Sequence, residues 1–125
     1  MPHPSALKVK LQIYCAAEIA MGPGKADLLD AIGAHGSISA AAKAMGMSYR
    51  RAWLLVDAMN RCWTSPLVET VAGGSHERGA RVTPFGAEVL RLYRGLVASA
   101  EMQAGADFKG GLARMLAPSP KPSQH

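Results

Sequence analysis

Apolar residues recur at helical spacing twice within residues 37–61, with a glycine between the two runs. Ile38, Ala41, Ala42 and Met45 fall on one face, and Ala52, Leu55, Val56 and Met59 repeat the same spacing. At 3.6 residues per turn each set makes one stripe, so two short amphipathic helices are predicted. Gly46 stands where a tight interhelical turn calls for positive φ. Ser37 and Ser48 stand where an N-cap hydroxyl accepts a first-turn N–H. Two helices joined this way form a helix-turn-helix unit. Ala40, Ala41, Ala42 and Ala44 leave room for a neighbouring helix to come close.

Before this unit, Leu7, Val9, Leu11 and Ile13 alternate with Lys8, Lys10, Gln12 and Tyr14. A period of two predicts a half-buried strand over 7–13, which needs a partner later in the chain. Gly22, Pro23, Gly24 and Lys25 predict a turn. It lacks the spacing of a phosphate-binding loop, since Ile19 and Ala26 stand where glycine and Ser or Thr would be needed. Residues 25–34 read as a helix with Leu28, Leu29 and Ile32 inward, closed by Gly33 and Gly36.

After the helix pair, residues 67–71 and 80–83 have strand character and flank a glycine-rich, polar stretch. A hairpin directly after a helix-turn-helix is the wing of a winged helix. Thr83 then caps a last helix, with Pro84 at its first position. Phe85, Val89, Leu92 and Leu96 make one stripe on it, and Leu90, Tyr93 and Val97 make a second beside the first. So wide an apolar face calls for a further partner. The simplest is the same helix in a second subunit, with Val89, Leu90, Tyr93 and Val97 as candidate dimer residues. Packing within the chain, against the strand at 7–13, is the alternative. Gly105, Gly110 and Gly111 weaken the helix after residue 104, and Pro118, Pro120 and Pro122 follow.

The expected fold is therefore mainly α with a small β part. It is a winged helix-turn-helix with a three-helix core, a β-hairpin wing, an N-terminal strand and a long C-terminal dimerisation helix. Residues 1–6 form a flexible N-terminus, 7–104 the domain with its dimerisation helix, and 105–125 a weakly ordered to disordered tail.

Charge adds a partner to this picture. The 125 residues carry a formal net charge of +5, which favours an anionic partner such as nucleic acid. The second helix of the pair offers Ser48, Tyr49, Arg50 and Arg51 at its outer N-terminal end. There hydroxyls reach phosphate, and arginine reaches guanine or phosphate in a major groove. Lys43 precedes them, and Arg78 and Arg81 place further cations on the wing. An ordinary helical hairpin with a solvated basic face would account for the same residues.

Other chemistry is sparse. Cys15 and Cys62 are far apart in sequence and read as free thiols of a reducing compartment. A metal site assembled from them and a histidine is the alternative, although His3, His35, His76 and His125 lack zinc-ligand spacing. No catalytic constellation stands out, so no enzyme and no cofactor are expected. No apolar run is long enough to span a bilayer. Residues 8–22 have the basic start of a signal peptide, but Glu18 interrupts their apolar part, and a cytoplasmic location is expected.

One resemblance is specific. It rests on residues 36–39, 41–43, Ser48-Tyr49-Arg50, Ala52-Trp53, Met59-Asn60, Leu67-Val68-Glu69, Gly73-Gly74, and Thr83 with Gly86. Over residues 7–104 the chain resembles the N-terminal DNA-binding domain of the molybdate-responsive ModE regulators, within the wider LysR-like winged helices. The resemblance implies a homodimer joined through the long terminal helix, with each recognition helix in a major groove of double-stranded DNA. By position it implies DNA contact from Ser48, Tyr49, Arg50, Arg51 and Arg78, with Trp53 near the groove. It puts oxyanion binding in separate β-rich domains after this one. The sequence ends at His125 without them, so molybdate sensing is not carried over and any effector stays open.

The expected function is a cytoplasmic transcription regulator that binds a two-fold-related operator as a homodimer. The alternatives are a ligand- or metal-sensing regulator of the same fold, and a protein-interaction module that does not bind DNA.

Overall fold

The computed structural model of the chain describes residues 6–72 and 78–123. Elements follow in the order β1 (Ile13–Cys15), β2 (Glu18–Met21), α1 (Pro23–His35), α2 (Ile38–Ala44), α3 (Tyr49–Cys62), β3 (Val68–Ala72), β4 (Arg78–Val82), α4 (Pro84–Gly110) and α5 (Leu112–Met115). α2 and α3 are the expected pair. Ser37 Oγ accepts from Ala40 N, and Ser48 Oγ accepts from Arg51 N. Gly46 adopts φ 68° between them, where a Cβ would be strained.

The two stripes meet α1 in one core. Leu28, Leu29 and Ile32 of α1 are buried with Ala41 and Ala42 of α2 and with Ala52, Val56 and Met59 of α3. The small residues of α2 are what let three helices close on one another. α1 starts earlier than the sequence indicates. Pro23 opens it as a first-turn residue, where its missing N–H costs nothing, so the expected turn is the first turn of the helix. Gly33 lies inside the helix, and Gly36 ends it at φ 77°.

β3 and β4 pair antiparallel from Val68↔Val82 to Ala72↔Arg78 and form the base of the wing. The glycine-rich tip at 73–77 lies outside the described residues. Several hydrogen bonds fix this hairpin to the helices around it. Ala80 N donates to the Gly36 carbonyl (2.8 Å) and Thr83 N to the Leu67 carbonyl (2.9 Å). The Asn60 carboxamide at the end of α3 accepts from Leu67 N at 2.8 Å.

Two expectations need correction. The strand predicted at 7–13 is not a strand over most of its length. Residues 7–12 alternate in burial but join no sheet, and β1 begins only at Ile13. Its ladder partner is β2, directly after it, in a hairpin with Ile13 opposite Met21 and Cys15 opposite Glu18. The extended segment lies along α4 instead, where the Tyr93 hydroxyl donates to the Leu11 carbonyl (2.7 Å). Alternating burial needs only one covering surface, so it does not distinguish a laddered strand from a segment lying on a helix.

α4 also differs. It remains helical past residue 104 to Gly110, and α5 resumes at Leu112. Its faces are exchanged relative to the expectation. Val89 and Tyr93 are buried, with Tyr93 only 3% exposed, and Leu90 and Val97 pack against the same core. Leu92 (57%) and Leu96 (51%) stand in solvent, with Phe85 on their side. The stripe that meets the core begins at Gly86, which touches Leu67 and has no side chain to mark it as apolar. The expected flexible N-terminus at 1–6 lies outside the described residues except for Ala6.

Candidate nucleic-acid interface

The N-terminal end of α3 is built by its cap. Ser48 in extended conformation turns the chain into the helix, and its Oγ occupies Arg51 N at 3.1 Å. The hydroxyl proton of Ser48 stays available to a phosphate oxygen. Tyr49, Arg50, Arg51, Trp53 and Leu54 then all stand exposed. Trp53 Nε1 donates to the Tyr49 hydroxyl one turn earlier, so the two aromatic rings form a paired unit on the exposed face. Ala52, Val56 and Met59 occupy the opposite face and fix the helix to the core. Lys43, in the last turn of α2, is also exposed.

Electrostatics separates these cations from four of the chain's arginines. Arg81 of β4 meets Glu69 across the wing, Arg91 meets Glu88, and Arg94 meets Asp27 and Asp30 of α1. Arg61 meets Glu18 at 2.8 Å and Asp57 at 2.9 Å. The Arg61 guanidinium holds the Glu18 carboxyl below the usual carboxylate range. Lys43, Arg50 and Arg51 meet no carboxylate among the described residues. They lie around the N-terminus of a fourteen-residue helix, whose free N–H groups and dipole also favour an anion.

The sequence-predicted residues thus divide. Lys43, Ser48, Tyr49, Arg50, Arg51 and Trp53 gather at the α2–α3 turn and the first turns of α3. Arg81 lies on the wing and is ion-paired. Arg78 opens β4, and its side chain falls outside the described part of the structure. Val89, Leu90, Tyr93 and Val97, expected at a dimer seam, face the chain's own core, and the exposed apolar face of α4 carries Phe85, Leu92 and Leu96. Leu92 and Leu96 also line an open apolar groove with Ile13, Trp63, Val89 and Tyr93.

Two positioning residues escaped the sequence reading. Asn60 appeared there only as part of a matching string. It bonds both Leu67 and Val68, setting the wing against α3. Gly86 is a close-approach site, where an added Cβ would stand 2.3 Å from the Leu67 carbonyl oxygen. The glycine after Thr83, Pro84 and Phe85 was the available signal for it.

The arrangement has known counterparts. Molybdenum-pterin-binding protein MopB of Rhodobacter capsulatus is 45% identical over 73 residues, 58% of this chain and 27% of its own length. Transcriptional dual regulator ModE of Escherichia coli is 38% identical over 87 residues, 70% of this chain and 32% of its own. This is a winged helix-turn-helix domain of the ModE type. Molybdenum-pterin-binding protein MopA of Rhodobacter capsulatus extends the likeness to 102 residues at 35% identity, covering 82% of this chain and 38% of its own. The matched stretch therefore spans well under half the length of each of these ModE-type proteins. The solved structure of the full-length regulator LysG of Corynebacterium glutamicum, with bound effector Arg, superposes with a TM-score of 0.51. It shares 26% identity and covers 75% of this chain and 30% of its own. No protein-family model matches the chain.

Proposed function

We propose that this ModE-type domain is the DNA-binding part of a transcription regulator, acting as a homodimer on a two-fold-related operator. One observation carries the reading: Lys43, Arg50 and Arg51, around the N-terminus of α3, meet no carboxylate among the described residues, while Arg61, Arg81, Arg91 and Arg94 are neutralised. Unpaired cations at a helix N-terminus meet phosphate without breaking an existing ion pair. Arg50, on the outer face of α3, is the candidate for bidentate contact with guanine. Lys43, Ser48 and Arg51 serve the phosphates, with Arg78 and Arg81 on the wing. The Tyr49–Trp53 pair covers the groove wall beside them.

The dimer in this reading uses the exposed face of α4. Phe85, Leu92 and Leu96 give it an apolar strip. A contiguous strip of this kind marks an interface, and a two-fold axis lets it bury itself against its copy. Recognition helices related by that axis would address half-sites about one helical turn apart, ~34–36 Å. Among the described residues no helix is long and apolar enough to cross a membrane, and the proposed location is the cytoplasm. Molybdenum-pterin binding is named for two of the relatives, MopB and MopA, and is said of those proteins alone.

Selection from a pool of random duplexes tests the reading. Enrichment of sites with two related halves separated by about one turn supports it. A pool left unchanged after repeated rounds at low salt overturns it.

A further inference from the structure

Cys15 and Cys62 are the only two cysteines of the 125-residue chain, and the fold brings them to one place. Both are free thiols, Cys15 exposed and Cys62 partly covered. Cys15 ends β1 and lies directly opposite Glu18 in the β1–β2 ladder. Cross-strand partners project from the same face of a hairpin. On that face the Glu18 carboxylate reaches the end of α3, with Oε2 3.9 Å from Cys62 Sγ. The residues on both sides of Cys62 are anchored to β2. Arg61 forks onto both Glu18 oxygens at 2.8 and 3.0 Å, and Trp63 Nε1 donates to the Ala20 carbonyl at 3.0 Å. Cys62 is thereby held against the hairpin that carries Cys15. Burial, and then Cys15 itself, push the Cys62 thiol up.

We propose that Cys15 and Cys62 form a reversible intrachain disulfide, a redox-responsive staple between the β1–β2 hairpin and the last turn of α3. The oxidant is a low-molecular-weight disulfide. The exposed Cys15 attacks it as thiolate, one small thiol leaves, and a mixed disulfide forms on Cys15. Cys62, losing its proton to solvent, attacks the Cys15 sulfur and expels the second small thiol. In sum, two protein thiols and one small disulfide become one protein disulfide and two small thiols. In a reducing compartment the pair rests as thiols and closes only when the surrounding thiol pool is oxidised. The inference is independent of DNA binding. It concerns only the joint between the hairpin and α3.

Incubation of the purified chain with oxidised glutathione, followed by thiol counting and intact mass, tests it. The expected product has no free thiols, a mass lower by two hydrogens, no attached glutathione and monomer mobility on a non-reducing gel. Its Tm should rise by roughly 10 °C, since the crosslink closes a long loop, and should fall back on reduction. Cys62→Ser should instead hold glutathione on Cys15 as a stable adduct, with no rise in Tm. A wild-type product that keeps either thiol, retains glutathione, or runs as a crosslinked dimer overturns the proposal.

Discussion

The Asn60 side chain binds the backbone of Val68 in both directions, donating from Nδ2 to the carbonyl at 2.9 Å and accepting at Oδ1 from the N–H at 3.1 Å. The same Oδ1 takes the Leu67 N–H at 2.8 Å. One carboxamide at the end of α3 therefore sets where the wing starts. Asn60→Ala leaves partly buried backbone groups without partners and should destabilise the domain by about 1–3 kcal/mol, read as a lower urea midpoint at unchanged slope. An unchanged midpoint would show that the wing is placed by its other contacts.

Two glycine substitutions should act in opposite directions. Gly86→Ala puts a Cβ 2.3 Å from the Leu67 carbonyl oxygen and 2.9 Å from its Cα, both rigid backbone atoms. The overlap should cost about 1–3 kcal/mol or more, exceeding any gain in helix propensity. Gly33→Ala, inside α1 with nothing within 4 Å of the added carbon, should stabilise by up to ~1 kcal/mol. Thermal unfolding of the two variants beside the wild type checks both signs.

The helix-turn-helix was legible because periodicity, caps and turn glycine agree over residues 37–61, and the structure places each as expected. The wing base was legible from two strand-forming runs flanking a glycine-rich stretch. The face of α4 was not. Its two apolar stripes are adjacent, and the one that packs inward starts at a glycine and depends on the Tyr93 hydroxyl finding the Leu11 carbonyl, 82 residues earlier in the chain. Strands β1 and β2 hold only three and four residues, too short for a pattern to separate them from their flanks. Nor did sequence reveal which arginines are neutralised. One partner that engages Arg61 is Glu18, 43 residues away in the chain.

That reassignment of α4 changes the expected dimer variants. Leu92→Glu with Leu96→Glu should give a folded monomer, since both side chains are already in water and only the self-association face is charged. Tyr93→Ala should instead lose about 3–5 kcal/mol of fold stability, because it empties a core position and frees the Leu11 carbonyl. Sedimentation with circular dichroism separates the cases. A wild type that is monomeric at micromolar concentration removes the proposed seam.

Acid should loosen the joint between β2 and α3. Glu18 has a depressed carboxyl in the folded chain, caused first by its bond to Arg61. A group depressed on folding stabilises above its unfolded pKa, and that contribution is lost as pH falls through the folded one. Stability of the wild type should therefore decline through the acid range more steeply than that of Glu18→Gln. Parallel pH profiles of the two proteins would show that the ion pair contributes nothing measurable.

The salt dependence of duplex binding, measured on the wild type and on two arginine variants, tests the central claim most directly. The cations around the N-terminus of α3 should make log K fall linearly with log salt, by about 0.9 per phosphate neutralised. Arg51→Ala should reduce the slope by about one contact. Arg61→Ala, whose guanidinium is engaged by Glu18 and Asp57, should leave it unchanged. A wild-type affinity that stays flat from low to physiological salt, or a slope that responds to Arg61 and not to Arg51, would contradict the interface placed at the N-terminus of α3.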